Sequence, residues 1–90
     1  MPLIEEETKV TDGVDSIYGH KVVLYNDDIN PFDHVEECLI KICFKSEQQS
    51  KEIAYEAHTK GKAVCYEGSL EVCETVLELM SEQNLTVSLE

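Results

Sequence analysis

Ninety residues with nineteen acidic side chains, seven lysines and no arginine carry a formal charge of −12. That balance excludes nucleic acid and anionic lipid as ligands, since both demand basic contacts, and favours cationic partners such as a protonated α-amine. No stretch approaches the roughly 20 apolar residues that cross a bilayer, and the N-terminus lacks a basic region followed by an apolar one, so a cytoplasmic protein without membrane contact is expected.

Residues 1–17 carry Glu5-Glu6-Glu7, Asp12-Gly13 and Asp15 with little hydrophobic periodicity, which predicts an acidic, flexible, solvated tail. A single folded domain is expected over 18–90. The β-branched run from His20 to Tyr25 predicts a strand. Asn30 suits a helix N-cap and Pro31 the first helical position, where a missing N–H is no loss. Phe32, Val35, Leu39 and Ile42 then recur at helical spacing to about Cys43, a buried stripe. Ser46 and Gln49 form a capping-box signal for a second helix, and Gly61 supplies its stop. Ile53, Ala54 and Ala57 mark the inward side of that helix.

Ala63 to Tyr66 predicts a second strand, and Glu67-Gly68-Ser69 leads into a third helix with Val72, Val76, Leu79 and Met80 on one side. Leu85, Val87 and Leu89 alternate with Thr86 and Ser88, the pattern of a half-buried final strand. The order β-α-α-β-α-β predicts an α+β fold, a small αβ sandwich with a three-stranded sheet covered on one face by three helices. Periodicity leaves the strand pairing open. The four cysteines, Cys38, Cys43, Cys65 and Cys73, show neither C-x-x-C nor zinc-finger spacing and are expected to be free thiols acting as small fillers.

The run Val22 to Phe32 is a strand that stops at Asn26-Asp27-Asp28 and turns into a helix. Polar side chains held between two rigid elements can form a precise recognition site. His58 stands near the end of the second helix, followed by Gly61-Lys62-Ala63, and the third helix holds Glu71-Val72 and Glu74-Thr75. Asn-Asp-Asp with Pro31, His58, Gly61-Lys62-Ala63 and the third-helix pairs occur in an order and at separations that resemble the Clp protease adaptor family, ClpS, from about Tyr18 to Glu90.

The resemblance implies an antiparallel sheet and a protein without catalytic residues, metal or cofactor. Its expected role is to bind the free N-terminus of proteins marked for degradation and hand them to a Clp-family AAA+ unfoldase. Carried over by position, Asn26, Asp27 and His58 hold the α-amino group. Phe32, Val35, Ala54, Ala57 and Leu85 line a pocket for a first residue such as Phe, Tyr, Trp or Leu. Asp28 and Asn30 support the loop. Glu71 and Glu74 dock on the N-terminal domain of the unfoldase, and an acidic leader of this kind helps delivery. Nothing demands more than a monomer.

The chemistry suits those residues. A primary ammonium offers three N–H donors, and an Asn carbonyl, a carboxylate and a neutral imidazole nitrogen supply three acceptors. Hydrogen bonds to a charged group are worth about 1.5–3 kcal/mol each, so losing one weakens binding roughly tenfold or more. Acetylation removes charge and donors together. Protonating His58 would replace an acceptor with a like charge and weaken binding.

The chain also departs from the family pattern. Asn30 stands where Thr is usual, and Phe32 where Met shapes the pocket. The segment Ser81–Leu85 is shortened, and Val76 stands where Lys is common. Other classes are weaker. An EF-hand count from Asn26 puts Pro31 where the calcium loop needs a left-handed Gly. Asp27, Asp28 and His58 as a hydrolytic set lack any accompanying nucleophile or metal motif. The bland alternatives are turn chemistry for Asn-Asp-Asp and dipole compensation for His58, with His20 and His34 as surface residues. The rival of substance is an interaction module that keeps the ClpS-like fold without reading N-termini, much as the related C-terminal domain of the ribosomal stalk protein acts through protein contacts alone.

Overall fold

The run His20–Tyr25 forms β1, and its length of alternating and β-branched side chains is long enough to pair on both edges. It lies in the middle of a three-stranded sheet between β2 (Lys62–Gly68) and β3 (Val87–Leu89), and both pairings are antiparallel. The computed structural model describes residues 19–90, so the tail expected over 1–17 lies outside the described residues. Leu24 is opposite Ala63 on one side and Val87 on the other. The β1–β2 register shifts between Val22 and Val23, which face Tyr66 and Val64 and leave Cys65 as the extra residue of a bulge.

The first helix, α1, runs Phe32–Lys41, followed by α2 over Glu47–Lys60 and α3 over Leu70–Glu82. The order β-α-α-β-α-β is the expected one, and the antiparallel pairing agrees with the ClpS resemblance. The helices cover one face of the sheet, where Val22, Leu24, Leu39, Cys65, Cys73, Val76 and Met80 form one buried cluster. All four cysteines are free thiols inside it. The hydrogen bond with Cys43, together with burial, pushes the Cys65 thiol up from its ordinary value. Ser50 is fully buried, and its hydroxyl is satisfied by donating to the Glu47 carbonyl at 2.7 Å.

Local signals mark α2 closely. Ser46 Oγ accepts from the Gln49 N–H at 3.1 Å, and Gln49 Oε1 accepts from the Ser46 N–H at 3.2 Å, a reciprocal capping box. Gly61 ends the helix at φ +94°, the left-handed conformation that favours glycine.

Two helical expectations are corrected. The residue preceding α1 is Pro31 rather than Asn30, and it supplies no side-chain cap. Asn30 does not cap the helix because its amide points back to Asp27 and across to Asn84. On α3 the inward residues are Cys73, Val76 and Met80, whereas Val72 is 38% and Leu79 41% exposed. Counting Cys73 as apolar rotates the stripe onto the observed face, where its thiol reaches the His20 carbonyl at 3.5 Å.

Candidate functional site

The pairing of β1 with β2 brings the end of β1 against the end of α2. The Asn26 N–H donates to the Gly61 carbonyl at 3.0 Å, and Gly61 itself donates to the Ala57 carbonyl at 3.0 Å to close the helix. His58 sits in that last turn. Two residues far apart in sequence are thereby fixed side by side, because one residue, Gly61, closes the helix through its N–H and holds the end of β1 through its carbonyl.

Leu24, Tyr25, Asn26, Asp27, Asn30, Phe32, Val35, Ala54, Ala57 and His58 line one pocket. Ala54 and Ala57 supply a floor of small side chains from α2, and Phe32 and Val35 a wall from the first turn of α1. The cavity measures about 20 Å³, room for a single water and far less than a phenyl ring. Within that lining the Phe32 ring meets the His58 imidazole edge-on, with centroids 5.2 Å apart.

Asp27 organises the loop between β1 and α1. Its Oδ1 accepts from the Ile29 N–H at 3.0 Å and the Asn30 N–H at 2.8 Å, and the Asn30 side-chain amide reaches both carboxylate oxygens at 3.1 and 3.0 Å. Burial raises the Asp27 pKa, but the Asn30 backbone and side-chain donors and the Ile29 N–H outweigh it and hold the carboxyl below its usual value. The Asn26 side-chain amide and the His58 ring nitrogens, by contrast, have no hydrogen-bond partner among the described residues. The site therefore presents two uncommitted polar groups and a structured carboxylate beside an apolar recess.

Of the residues named from the sequence, Asn26, Asp27, His58, Asn30, Phe32, Val35, Ala54 and Ala57 come together. Leu85 does not join them: it is buried in the core, and Leu24 and Tyr25 complete the lining instead. Asp28 is exposed and outside the lining. Glu71 and Glu74 are exposed on α3, away from the pocket. His34, expected at the surface, is half-buried there and gains a partner, its Nε2 donating to the Gln83 carbonyl at 2.9 Å. Forty-nine residues separate the two partners, so no local spacing in the sequence signals that contact. Among the described residues no group of three His, Cys, Asp or Glu side chains could hold a metal ion, and no helix is long and apolar enough to cross a membrane.

The family described as ATP-dependent Clp protease adaptor protein ClpS matches residues 18–88. The ClpS of Leptospira biflexa is 41% identical over 56 residues, covering 62% of this chain and 50% of that protein. The ClpS of Shewanella halifaxensis is 44% identical over 62 residues, 69% of this chain and 59% of its own length. The chain thus spans little more than half the length of these two relatives. The ClpS of Thermosynechococcus vestitus is 33% identical over 71 residues, 78% of this chain and 76% of that one. Among solved structures, Agrobacterium tumefaciens ClpS2 bound to L-phenylalaninamide superposes with a TM-score of 0.69 at 28% identity, covering 79% of this chain and 93% of that one. With the family match running from before β1 into β3, this chain belongs to the ClpS family of Clp protease adaptors.

Proposed function

We propose that this chain is a non-enzymatic adaptor that captures the free α-amine and bulky first side chain of a protein and delivers it to a Clp-family AAA+ unfoldase. One observation carries the reading: the side chains of Asn26 and His58, without hydrogen-bond partners among the described residues, share a pocket rim with the carboxylate of Asp27 above an apolar floor. Phenylalaninamide, the ligand of the Agrobacterium relative, has the same two parts, a free amine and an apolar side chain.

In this reading the Asn26 carbonyl and a neutral His58 nitrogen accept two ammonium N–H bonds. The second oxygen of Asp27, which receives only the Asn30 amide, accepts the third and supplies the opposite charge. The first side chain enters between Phe32, Val35, Ala54 and Ala57, and burying it adds about 1.5–3 kcal/mol. Glu71 and Glu74, exposed on α3, meet the N-terminal domain of the unfoldase. The cargo preference is for Phe, Tyr, Trp or Leu, and the setting is the cytoplasm.

The Phe32–His58 contact and the small cavity favour a second reading, an interaction module that binds an unfoldase without reading N-termini. Titrating a fluorescent peptide that begins with free Phe, against the same peptide N-acetylated, separates the two. Binding near micromolar, about −8 kcal/mol, that vanishes on acetylation is expected for the adaptor. Failure of free-amine peptides beginning with Phe, Leu, Tyr and Trp alike would leave the module.

A further inference from the structure

The last turn of α3 leaves carbonyls that have no helical partner. After Glu82 the chain turns sharply. The Gln83 N–H donates to the Met80 carbonyl and the Asn84 N–H to the Ser81 carbonyl, with Asn84 at φ +68°, a left-handed conformation that asparagine tolerates. This turn presents the carbonyls of Gln83 and Asn84 in succession to the start of α1. His34 Nε2 lies 2.9 Å from the first and Asn30 Nδ2 2.9 Å from the second. A carbonyl only accepts, so His34 carries its proton on Nε2.

Asn30 is the junction. Its side-chain amide has two N–H groups: one faces the Asp27 carboxylate, at 3.1 and 3.0 Å from its oxygens, and the other the Asn84 carbonyl. A hydroxyl side chain has a single donor and cannot serve both. The Asp27 carboxylate, at the pocket rim, is thus referenced to the end of α3, an element that contributes no residue to the pocket lining. The neighbouring His34–Gln83 bond pins the same turn and keeps the Asn84 carbonyl in reach.

We propose that Asn30 is a positioning residue for amine capture: it orients Asp27 by bridging it to the Asn84 carbonyl, so that the α3–β3 turn acts as the anchor of the cargo site. Asn30 touches no ammonium itself in this scheme and acts through Asp27. The cargo readout rests on the amine-capture reading above; the solvent-exchange readout below does not.

The test uses the full chain with Asn30→Ala, Asn30→Thr, Asp27→Asn and the double variant Asn30→Ala/Asp27→Asn. Affinity for the free-Phe peptide is expected to fall roughly tenfold in Asn30→Ala and less in Asn30→Thr, which retains one donor. The double variant is expected to bind no worse than Asp27→Asn alone, because the two side chains act as one unit. Additive losses, or no loss in either Asn30 variant, would overturn the proposal. Solvent exchange of the Ile29 and Asn30 backbone amides, both donors to Asp27, reads the bridge without any cargo. Faster exchange in Asn30→Ala and Asn30→Thr is expected, and unchanged exchange would overturn it. If wild type bound no free-amine peptide while exchange responded as expected, the cargo reading would fail and the bridge would stand.

Discussion

The Phe32 ring and the His58 imidazole stand edge to face at 5.2 Å, with an interplanar angle of 82°. One ring belongs to the apolar wall and the other to the polar rim, so under the proposed amine-capture reading a cargo side chain entering the pocket displaces this contact. Phe32 is 42% exposed at the first position of α1, which gives the ring solvent to rotate into.

Replacing Phe32 with Met should therefore help cargo entry. An edge-to-face pair is worth about 0.5–1.5 kcal/mol beyond burial, so Phe32→Met is expected to tighten binding of a free-Phe peptide roughly two- to tenfold. The flexible thioether should also widen acceptance among bulky first residues. Peptide titrations with Phe, Leu and Ile at the first position check both; equal affinities for wild type and variant would mean that the contact does not gate entry.

Asn26→Ala and His58→Ala should each weaken free-amine binding roughly tenfold or more while circular dichroism stays unchanged. Both side chains sit on the surface, so neither variant opens the core. Asp27→Asn and Asp28→Asn form the informative comparison. Asp27 lines the pocket but is bonded to its own loop, and Asp28 is exposed beside it. The larger loss is expected at Asp27; a larger loss at Asp28 would transfer the carboxylate role to that side chain.

Acid should reveal the work of Asp27 in the fold. Its carboxyl is held below the usual value of 3.8 because the loop donors outweigh the effect of burial. A depressed pKa contributes stability that is present above the unfolded value and lost as pH falls through the folded one. Urea unfolding at a series of pH values should show a constant gap between wild type and Asp27→Asn above 3.8 that closes below it. The gap should be modest, since the carboxyl is only half-buried and solvent screens it.

Gly61→Ala should destabilise the chain by about 1–2 kcal/mol, the cost of a left-handed residue with a Cβ. Space is not the cause, because a Cβ there would meet nothing within 4 Å. The cause is φ at +94°. A lower urea midpoint at unchanged slope is the expected signature. Peptide binding should weaken in parallel, since the Gly61 carbonyl holds the Asn26 backbone beside His58.

Much of the fold was legible in local signals. Ser46 with Gln49, and Gly61, bracket α2 in the structure as their spacing implied, because caps are satisfied within a turn of chain. On α3 the buried stripe turns on Cys73, which packs inward like an apolar residue, and the Asn30 amide takes partners from both sides instead of capping α1. Leu85 illustrates a different failure. Its alternation with Val87 and Leu89 identified a buried residue, but burial alone could not distinguish core from pocket wall.

By itself the sequence determined the order of elements, their caps and their apolar faces, since each depends on residues within one or two turns of one another. It also carried the identities of the polar residues at the pocket rim. Only the tertiary structure decided that β1 lies between β2 and β3, that the Gly61 carbonyl ties Asn26 to the turn bearing His58, that Phe32 closes on His58, and that Asn30 leans on Asn84. Those relationships are hydrogen bonds and ring contacts between distant segments. They follow from the register of packed elements and leave no periodic trace along the chain.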